Sequence, residues 1–248
     1  MVAPVQYAGP PPTKVTYFLT SELNPIEDQV AHYAGGSRYR LEEKHRVLVK
    51  EVREQAMQIC RPAVAHTLHT VLDCHPTTGE LLLQSGTRVK MPAPLASNST
   101  RFLAVVVTTL GERLEQISRR LREQGDLLRS VFLDAAGLAM LELLAKAALE
   151  LISGLARERG LFAGRRIIPG CHYGLDMSVQ KTLFQLVDGA AIGVMLKASL
   201  VMAPLKSQSF LVAMTSDPAP VWPEHKCVTC PNHDCLYRHT GRVEGPLP

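Results

Sequence analysis

The amino-acid sequence predicts an α+β fold with long helices. Strand-like segments occur in the first half of the chain and again late, and the longest helical segments lie between these two groups. Strands and helices do not alternate regularly, as they would in a doubly wound parallel sheet. With 248 residues, of which 46% are hydrophobic, the chain can bury a sizeable core.

The first half of the chain predicts one helix and three strands. Apolar residues at helical spacing between Leu41 and Ala56 predict a helix over 41–59, which ends at Arg61-Pro62. Segments rich in apolar and β-branched residues follow at 63–71, 79–84 and 102–110. The last of these, FLAVVVTTL, is apolar enough to be buried on both faces of a sheet.

The second half predicts three helices and two more strands. A polar helix over 112–124 ends at Gly125, and Asp126 is placed to cap a long apolar helix from Leu127 to about Arg159. A helix over 177–187 and strands over 191–196 and 209–214 complete the prediction. The chain then divides into a Pro-rich arm (1–14), an α+β domain (15–220) and a Cys-rich metal-binding tail (221–248).

Composition and charge exclude several classes of function. The chain has 27 basic and 23 acidic residues, without the interleaved aromatic and basic residues of a nucleic-acid surface. It contains neither a GxGxxG nor a GxxxxGK[ST] phosphate loop, and no nucleophile–base pair indicates hydrolysis. Asp134, Glu142, Lys146 and Glu150 interrupt the longest apolar region, and the N-terminus lacks a secretory-signal pattern. We therefore expect a cytoplasmic protein without membrane insertion.

Three of the six cysteines cluster near the C-terminus, in the spacing Cys227-x2-Cys230-x4-Cys235. Thiolates three residues apart can bind one metal from a tight turn, and a third five residues later can join them. The motif fits a zinc site or an iron–sulfur cluster, with three free thiols and no metal as the alternative, and we favour the cluster because the ligands are sulfur. Both kinds of site usually need a fourth protein ligand. The candidates are Cys171, His225, His233, Asp234 and His239.

A second candidate site is the loop RRIIPGCHYGLDMSVQ, residues 165–180. The guanidinium of Arg166, three residues before a Pro-Gly turn, can clamp a carboxylate through two parallel hydrogen bonds. The turn would also offer backbone groups to a ligand. The alternative is an arginine that simply lies on the surface before a turn. A third candidate is MLKASLVMAPLKSQSF (195–210), whose alternative interpretation is a strand edge with solvated lysines.

Three stretches, in this order, resemble one family. The first is VTTLGERLEQISRRLREQGDLLRSVFLDAAGLAMLELLA. The second begins in the loop at 165–180, which we call the arginine loop, and continues through MLKASLVMAPLKSQSF. The third is the CxxCxxxxC tail. They resemble the reactivation domain of cobalamin-dependent methionine synthase and, even more, its stand-alone relatives that act with separate corrinoid proteins. The resemblance covers about residues 40–215. It implies a mixed, mainly antiparallel twisted sheet with long helices.

The resemblance also implies cofactors and partners. In that family the domain binds S-adenosylmethionine and docks over the corrin of a cob(II)alamin protein, where an electron donor reduces the cobalt and methyl transfer traps it. The implied partners are therefore a corrinoid protein or corrinoid-dependent methyltransferase, which carries the cobalamin, and an electron donor such as a ferredoxin.

Several residues match the family's motifs. Arg166 matches the arginine that binds the cofactor's carboxylate, and the loop whose backbone contacts the cofactor matches Ile168, Pro169 and Gly170. The second motif, which the resemblance implies shapes the pocket and the corrin-facing surface, matches Met202, Pro204, Ser207 and Ser209. The family's tyrosine after Pro-Gly is Cys171 in this chain, and Tyr173 follows two residues later.

The substitution at Cys171 suggests a hypothesis about the missing metal ligand. Cys171 would join Cys227, Cys230 and Cys235 around a [4Fe–4S] cluster placed beside the corrin site, so that the protein carries its own electron to cobalt. The other two cysteines, Cys60 at the end of a helix and Cys74 beside a turn, are expected to be ordinary buried thiols.

The sequence thus favours an accessory protein that reductively reactivates or services a separate corrinoid protein in methyl transfer. In this interpretation the chain is an S-adenosylmethionine-dependent corrinoid reactivase. The alternative is a non-catalytic binding subunit of a corrinoid methyltransferase system with a structural zinc tail. A third interpretation, a methyltransferase component acting on a methylated substrate, would need cobalamin on another chain because no D-x-H-x-x-G motif occurs.

Overall fold

The computed structural model of the protein describes residues 9–37, 39–75, 77–92, 97–171, 175–218 and 234–237. The helices are α1 (Glu27–Gly35), α2 (Glu43–Ile59), α3 (Arg113–Glu123), α4 (Leu127–Arg157) and α5 (Val179–Leu186). The strands are β1 (Lys14–Tyr17), β2 (Ala63–His75), β3 (Glu80–Leu83), β4 (Arg88–Lys90), β5 (Thr100–Thr109), β6 (Phe162–Ala163), β7 (Met195–Leu196), β8 (Met202–Ala203) and β9 (Ser207–Thr215). Short 3₁₀ helices cover Thr20–Leu23 and Gly189–Ile192.

The strands form a curled sheet in the order β4-β3-β2-β5-β9-β6, with β1 added to β2, and β7 and β8 form a separate hairpin. Every strand pair among the described residues is antiparallel. The thirteen-residue strand β2 bends the sheet, because its first half pairs with β1 and β5 whereas its second half pairs with β3. The predicted α+β class and the mainly antiparallel sheet are confirmed.

The sheet separates two hydrophobic cores. Helices α1 to α4 cover one face, where Ala104 and Val106 of β5 contribute to the larger core. The second face is covered by β3, β4, α5 and the segment after it, and there Leu103, Val105 and Val107 contribute to the smaller core. Since alternate residues of a strand point to opposite faces, β5 is buried on both sides, as its sequence predicts.

The long helix α4 begins and ends where the sequence predicts. The Asp126 side chain accepts a hydrogen bond from the Arg129 backbone N–H at 3.2 Å, which caps the helix. Gly125 and Gly160, on either side of the helix, adopt positive φ values of 83° and 68°. None of the helices within the described ranges has the length and apolar character needed to cross a membrane.

Two stretches differ from the sequence-based prediction. The predicted strand 191–196 is wrong over most of its length: the Asp188 side chain caps a 3₁₀ helix at Gly189–Ile192, and Gly193 turns the chain at φ 73°. Only Met195–Leu196 remains extended. The helix predicted from Leu41 begins at Glu43, and its fully buried residues are Val49, Val52 and Ala56.

Other elements were not predicted. These are β1, α1, β4, β6 and β8, most of which are short and gain their order from neighbouring strands. Of the predicted arm 1–14, residues 1–8 lie outside the described residues, and Lys14 already belongs to β1. Most of the predicted tail 221–248 also lies outside them.

Candidate functional site

The arginine loop lies along the edge of the sheet, next to β9. Ile167 forms a two-way backbone bridge with Leu211, with both N–O distances at 2.9 Å. Ile167 therefore points into the smaller core, and its neighbour Arg166 points to the other face of the sheet, toward α4. The bridge thus determines which way the guanidinium faces.

Arg166 makes the paired contact with a carboxylate that its sequence context predicts, but the carboxylate belongs to the same chain. Its Nη2 and Nη1 atoms donate to the two oxygens of Glu142, at 2.5 and 3.3 Å. Nη1 also lies 3.3 Å from the amide oxygen of Gln208, and the guanidinium carbon lies 5.8 Å from the centre of the Phe210 ring. Two parallel hydrogen bonds and an aromatic neighbour hold the guanidinium in one orientation.

The ion pair is largely withdrawn from water. The Arg166 side chain is 9% exposed and that of Glu142 is 25% exposed. Charges in such surroundings interact more strongly than on an open surface, because little solvent screens them. A ligand that carries both a carboxylate and an ammonium group would therefore find one complementary charge for each.

Tyr33 of α1 lies within electrostatic range of this pair. Burial and, to a lesser degree, the negative charge of Glu142 raise the pKa of Tyr33 to about 12, against an opposing effect of Arg166. The phenol therefore stays protonated at neutral pH. Tyr33 and Glu142 were not predicted as site residues; the sequence signal for Glu142 is a carboxylate within the most apolar helix.

The Pro169-Gly170 turn forms as the sequence predicts. The Cys171 N–H donates to the Ile168 carbonyl at 3.1 Å, and Gly170 adopts a φ of 73°, the pattern of a type II turn. The Gly170 N–H donates to the Leu175 carbonyl at 2.8 Å. These two N–H groups are therefore engaged within the loop.

The second motif is divided between the two faces of β9. Gln208 reaches Arg166, whereas Ser207 and Ser209 alternate to the opposite face. The Ser207 hydroxyl donates to the Thr109 hydroxyl at 2.9 Å, and the buried Ser209 hydroxyl has no hydrogen-bond partner among the described residues. The structure thus brings Gln208 to Arg166 and places the two serines away from it.

Hydrogen bonds join the loop before β9 to α3 and α4. Met202 packs against the smaller core, and a cis peptide bond joins Ala203 to Pro204. The Leu205 N–H donates to the Glu115 carboxylate at 2.8 Å, and the Lys206 ammonium donates to Asp134 at 2.7 Å. This loop is therefore held by side chains from two helices.

The cysteines are only partly described. Cys60 is fully buried and its burial raises its thiol pKa to about 12, and Cys74 is 9% exposed, so the prediction of ordinary buried thiols is confirmed. Cys171 follows the Pro-Gly turn and is half-buried, as is Cys235. Within the described ranges, no three His, Cys, Asp or Glu side chains form a group that could hold a metal ion. The other sequence-predicted residues, Tyr173, Cys227, Cys230, His225, His233 and His239, lie outside those ranges.

The fold and the site define a class of domain: a curled antiparallel sheet with long helices on one face and an arginine loop along an edge. Among solved structures, the chain is similar to the MetH reactivation domain bound to AdoHcy, with a TM-score of 0.62. The match covers 88% of this chain and 82% of that chain at 15% sequence identity, so the likeness is one of fold. No family model and no curated protein matches the chain.

Proposed function

We propose that the chain is an accessory protein that reactivates or services a separate corrinoid protein in methyl transfer, and that it binds S-adenosylmethionine at the arginine loop. The observation that carries the proposal is the Arg166–Glu142 pair, in a fold similar to a domain whose solved structure contains AdoHcy. The corrinoid protein would carry the cobalamin, and a donor such as a ferredoxin would supply electrons.

The charges of the pair fit the amino-acid end of S-adenosylmethionine. That end carries a carboxylate for Arg166 and an ammonium for Glu142, so binding would replace one ion pair by two. The turn at Ile168, Pro169 and Gly170 would form one wall of the pocket. Further residues of the proposed pocket and corrin-facing surface are Tyr173, Met202 and Pro204, whereas Ser207 and Ser209 face away from Arg166.

We also propose that the tail 221–248 binds a metal through Cys227, Cys230 and Cys235, with Cys171 as the fourth ligand. A [4Fe–4S] cluster, when bound, would supply single electrons to the cobalt of the partner. The position of Cys171 supports this, because a half-buried thiol directly after the turn lies next to the proposed pocket.

Calorimetric titration with S-adenosylmethionine and AdoHcy tests the ligand site. Arg166→Met should abolish measurable binding, whereas Arg129→Met, which breaks the exposed ion pair of Arg129 with Glu51, should leave binding unchanged. Equal affinities for the wild type and Arg166→Met would contradict the proposed site.

The reaction itself is tested with a cob(II)alamin-loaded corrinoid protein from the same organism. Under anaerobic conditions with S-adenosylmethionine and an electron donor, the chain should accelerate loss of the cob(II)alamin spectrum and formation of AdoHcy. Rates that do not depend on the chain would contradict a reactivating role.

Iron, sulfide and zinc analysis of anaerobically purified protein tests the tail. The wild type should contain about four iron and four sulfide per chain, and Cys171→Ser should lose them, whereas Cys74→Ser serves as the control. An unchanged cluster content and visible spectrum in Cys171→Ser would eliminate Cys171 as a ligand.

One observation favours the second candidate, a non-catalytic binding subunit with a structural zinc tail. Glu142 already supplies Arg166 with a carboxylate through two hydrogen bonds, as in a site that has lost its ligand. Colourless zinc protein that does not bind S-adenosylmethionine would support this candidate over the first.

A further inference from the structure

The short described segment of the tail, Asp234–Tyr237, lies against the C-terminal end of α1. The Ser37 N–H donates to the Leu236 carbonyl at 2.8 Å. The Tyr237 ring lies 5.9 Å from the ring of Tyr33 and 5.7 Å from that of His32, measured between ring centres. A backbone hydrogen bond and two ring contacts therefore join the tail to the helix.

The contact depends on a glycine at the end of α1. Gly36 terminates the helix at a φ of 83°, and its N–H donates to the His32 carbonyl at 2.8 Å. A Cβ atom at this position would lie 2.6 Å from the Leu236 carbonyl oxygen, well inside van der Waals contact. The two backbones thus approach each other more closely than any side chain at position 36 would permit.

Tyr33 connects this contact to the Arg166–Glu142 pair. Its ring packs with Tyr237 on one side, and the charges of both Glu142 and Arg166 act on its hydroxyl. Tyr33 therefore contacts the tail and lies within electrostatic range of the ion pair. Removal of the tail would leave the Tyr33 ring more open to water.

We propose that the end of α1, comprising His32, Tyr33, Gly36 and Ser37, is a docking site for the chain's own tail, and that docking strengthens ligand binding at the Arg166–Glu142 pair. The docked tail packs on Tyr33, on which the charges of both members of the pair act, so docking and ligand binding both change the surroundings of the same side chain. The ligand part of this inference rests on the proposed function.

Docking also determines where the cysteine motif lies. Cys235 directly precedes Leu236, so the last cysteine of the motif is held beside α1 whenever the tail is docked. Because coupling between two binding events is reciprocal, AdoHcy should strengthen docking as much as docking strengthens AdoHcy binding. The tail is in this sense a part of the ligand site.

Hydrogen exchange and calorimetry on the full chain test the proposal. Tyr237→Ala removes the ring contacts without changing Ser37 or Leu236, which form the backbone hydrogen bond. Exchange at the Ser37 amide should then accelerate about tenfold or more. The control is Tyr17→Ala, at a tyrosine that is 73% exposed. The same Tyr237→Ala variant should bind AdoHcy about fivefold or more weakly. Unchanged exchange at Ser37 would overturn docking, and unchanged affinity with accelerated exchange would overturn the coupling.

A glycine pair provides a second, matched comparison. Gly36→Ala introduces both backbone strain and a clash with Leu236, whereas Gly125→Ala places a Cβ at the same φ of 83° with no atom within 4 Å. Only Gly36→Ala should accelerate exchange in the tail peptide that contains residues 234–237. Equal exchange in the two variants would overturn the docking site.

A third variant separates this inference from the proposed function. Glu142→Gln changes the ion pair without touching the tail, and it should alter exchange at Ser37 by severalfold even without ligand. If AdoHcy fails to bind the wild type, the proposed function fails, but Ser37 exchange in Glu142→Gln still decides the coupling: an unchanged rate overturns it.

Discussion

Arg166 and Glu142 meet through two hydrogen bonds, at 2.5 and 3.3 Å, although 24 positions separate them in the chain. One residue lies on a loop that a backbone bridge attaches to β9, and the other lies in the middle of α4. The pair therefore joins the edge of the sheet to the longest helix. Its charges, its orientation and its low exposure are the physical basis of the proposed ligand site.

The first prediction concerns the stability of this pair. Glu142→Gln leaves a guanidinium that is 9% exposed without its counter-charge, so the free energy of unfolding should fall by about 1–3 kcal/mol. Arg166→Met removes the buried charge itself and should cost less. A double-mutant cycle by urea denaturation measures the coupling, and strictly additive losses would contradict a direct interaction.

The second prediction concerns Lys206, whose ion pair with Asp134 attaches the loop before β9 to α4. Its side chain is 8% exposed and its ammonium pairs with Asp134, whose side chain is 41% exposed. Asp134→Asn leaves the buried ammonium unpaired and should cost about 1–2 kcal/mol, whereas Lys206→Met keeps the packing and should cost less than about 1 kcal/mol. Urea denaturation of both variants checks this order, and the reverse order would contradict it.

The third prediction concerns the Pro-Gly turn. Gly170 adopts a φ of 73°, and Gly160, which follows the end of α4, adopts one of 68°. Alanine at either position should cost about 1–2 kcal/mol of stability through backbone strain. A Cβ at position 170 would lie 2.5 Å from the terminal methyl group of Met177, whereas one at position 160 would have no described atom within 4 Å. Only Gly170→Ala should also weaken AdoHcy binding in a calorimetric titration, and an equal effect of Gly160→Ala would contradict a local role of the turn.

The fourth prediction concerns pH. His66 is 3% exposed, neither of its ring nitrogens has a hydrogen-bond partner in the described part of the chain, and burial followed by the charge of Lys14 lowers its pKa. Burial likewise lowers the pKa of His69. The unfolded chain then binds more protons than the folded one below about pH 6.5, so stability should fall as the pH is lowered through that range.

Urea denaturation at pH 7.5 and 5.5 measures this effect. His66→Leu should reduce the difference in unfolding free energy between the two pH values, because it removes a group that the folded state keeps neutral. His75→Leu, at an exposed histidine, is the control and should retain the wild-type difference. An equal pH dependence in wild type and His66→Leu would contradict the prediction.

Several elements follow from local sequence alone. The spacing of apolar residues, the capping side chain of Asp126 and the glycines at 125 and 160 delimit α4, because helix periodicity and end chemistry act over a few residues. The continuous apolar run of β5 indicates burial on both faces for the same reason. The strand predicted over 191–196 was wrong because its small and apolar residues suit a 3₁₀ turn equally well, and the turn at Gly193 follows it.

The sequence by itself determined the α+β class, the main helices and the Pro-Gly turn that follows Arg166, since these depend on periodicity and local backbone preferences. Only the tertiary structure decided that Glu142 and Gln208 are the partners of Arg166, that Ser207 and Ser209 face away from it, and that Tyr237 packs on Tyr33. Those contacts join residues far apart in the chain. They arise from the register of β9 and the packing of α1 and α4 on the sheet, which no local pattern of residues encodes.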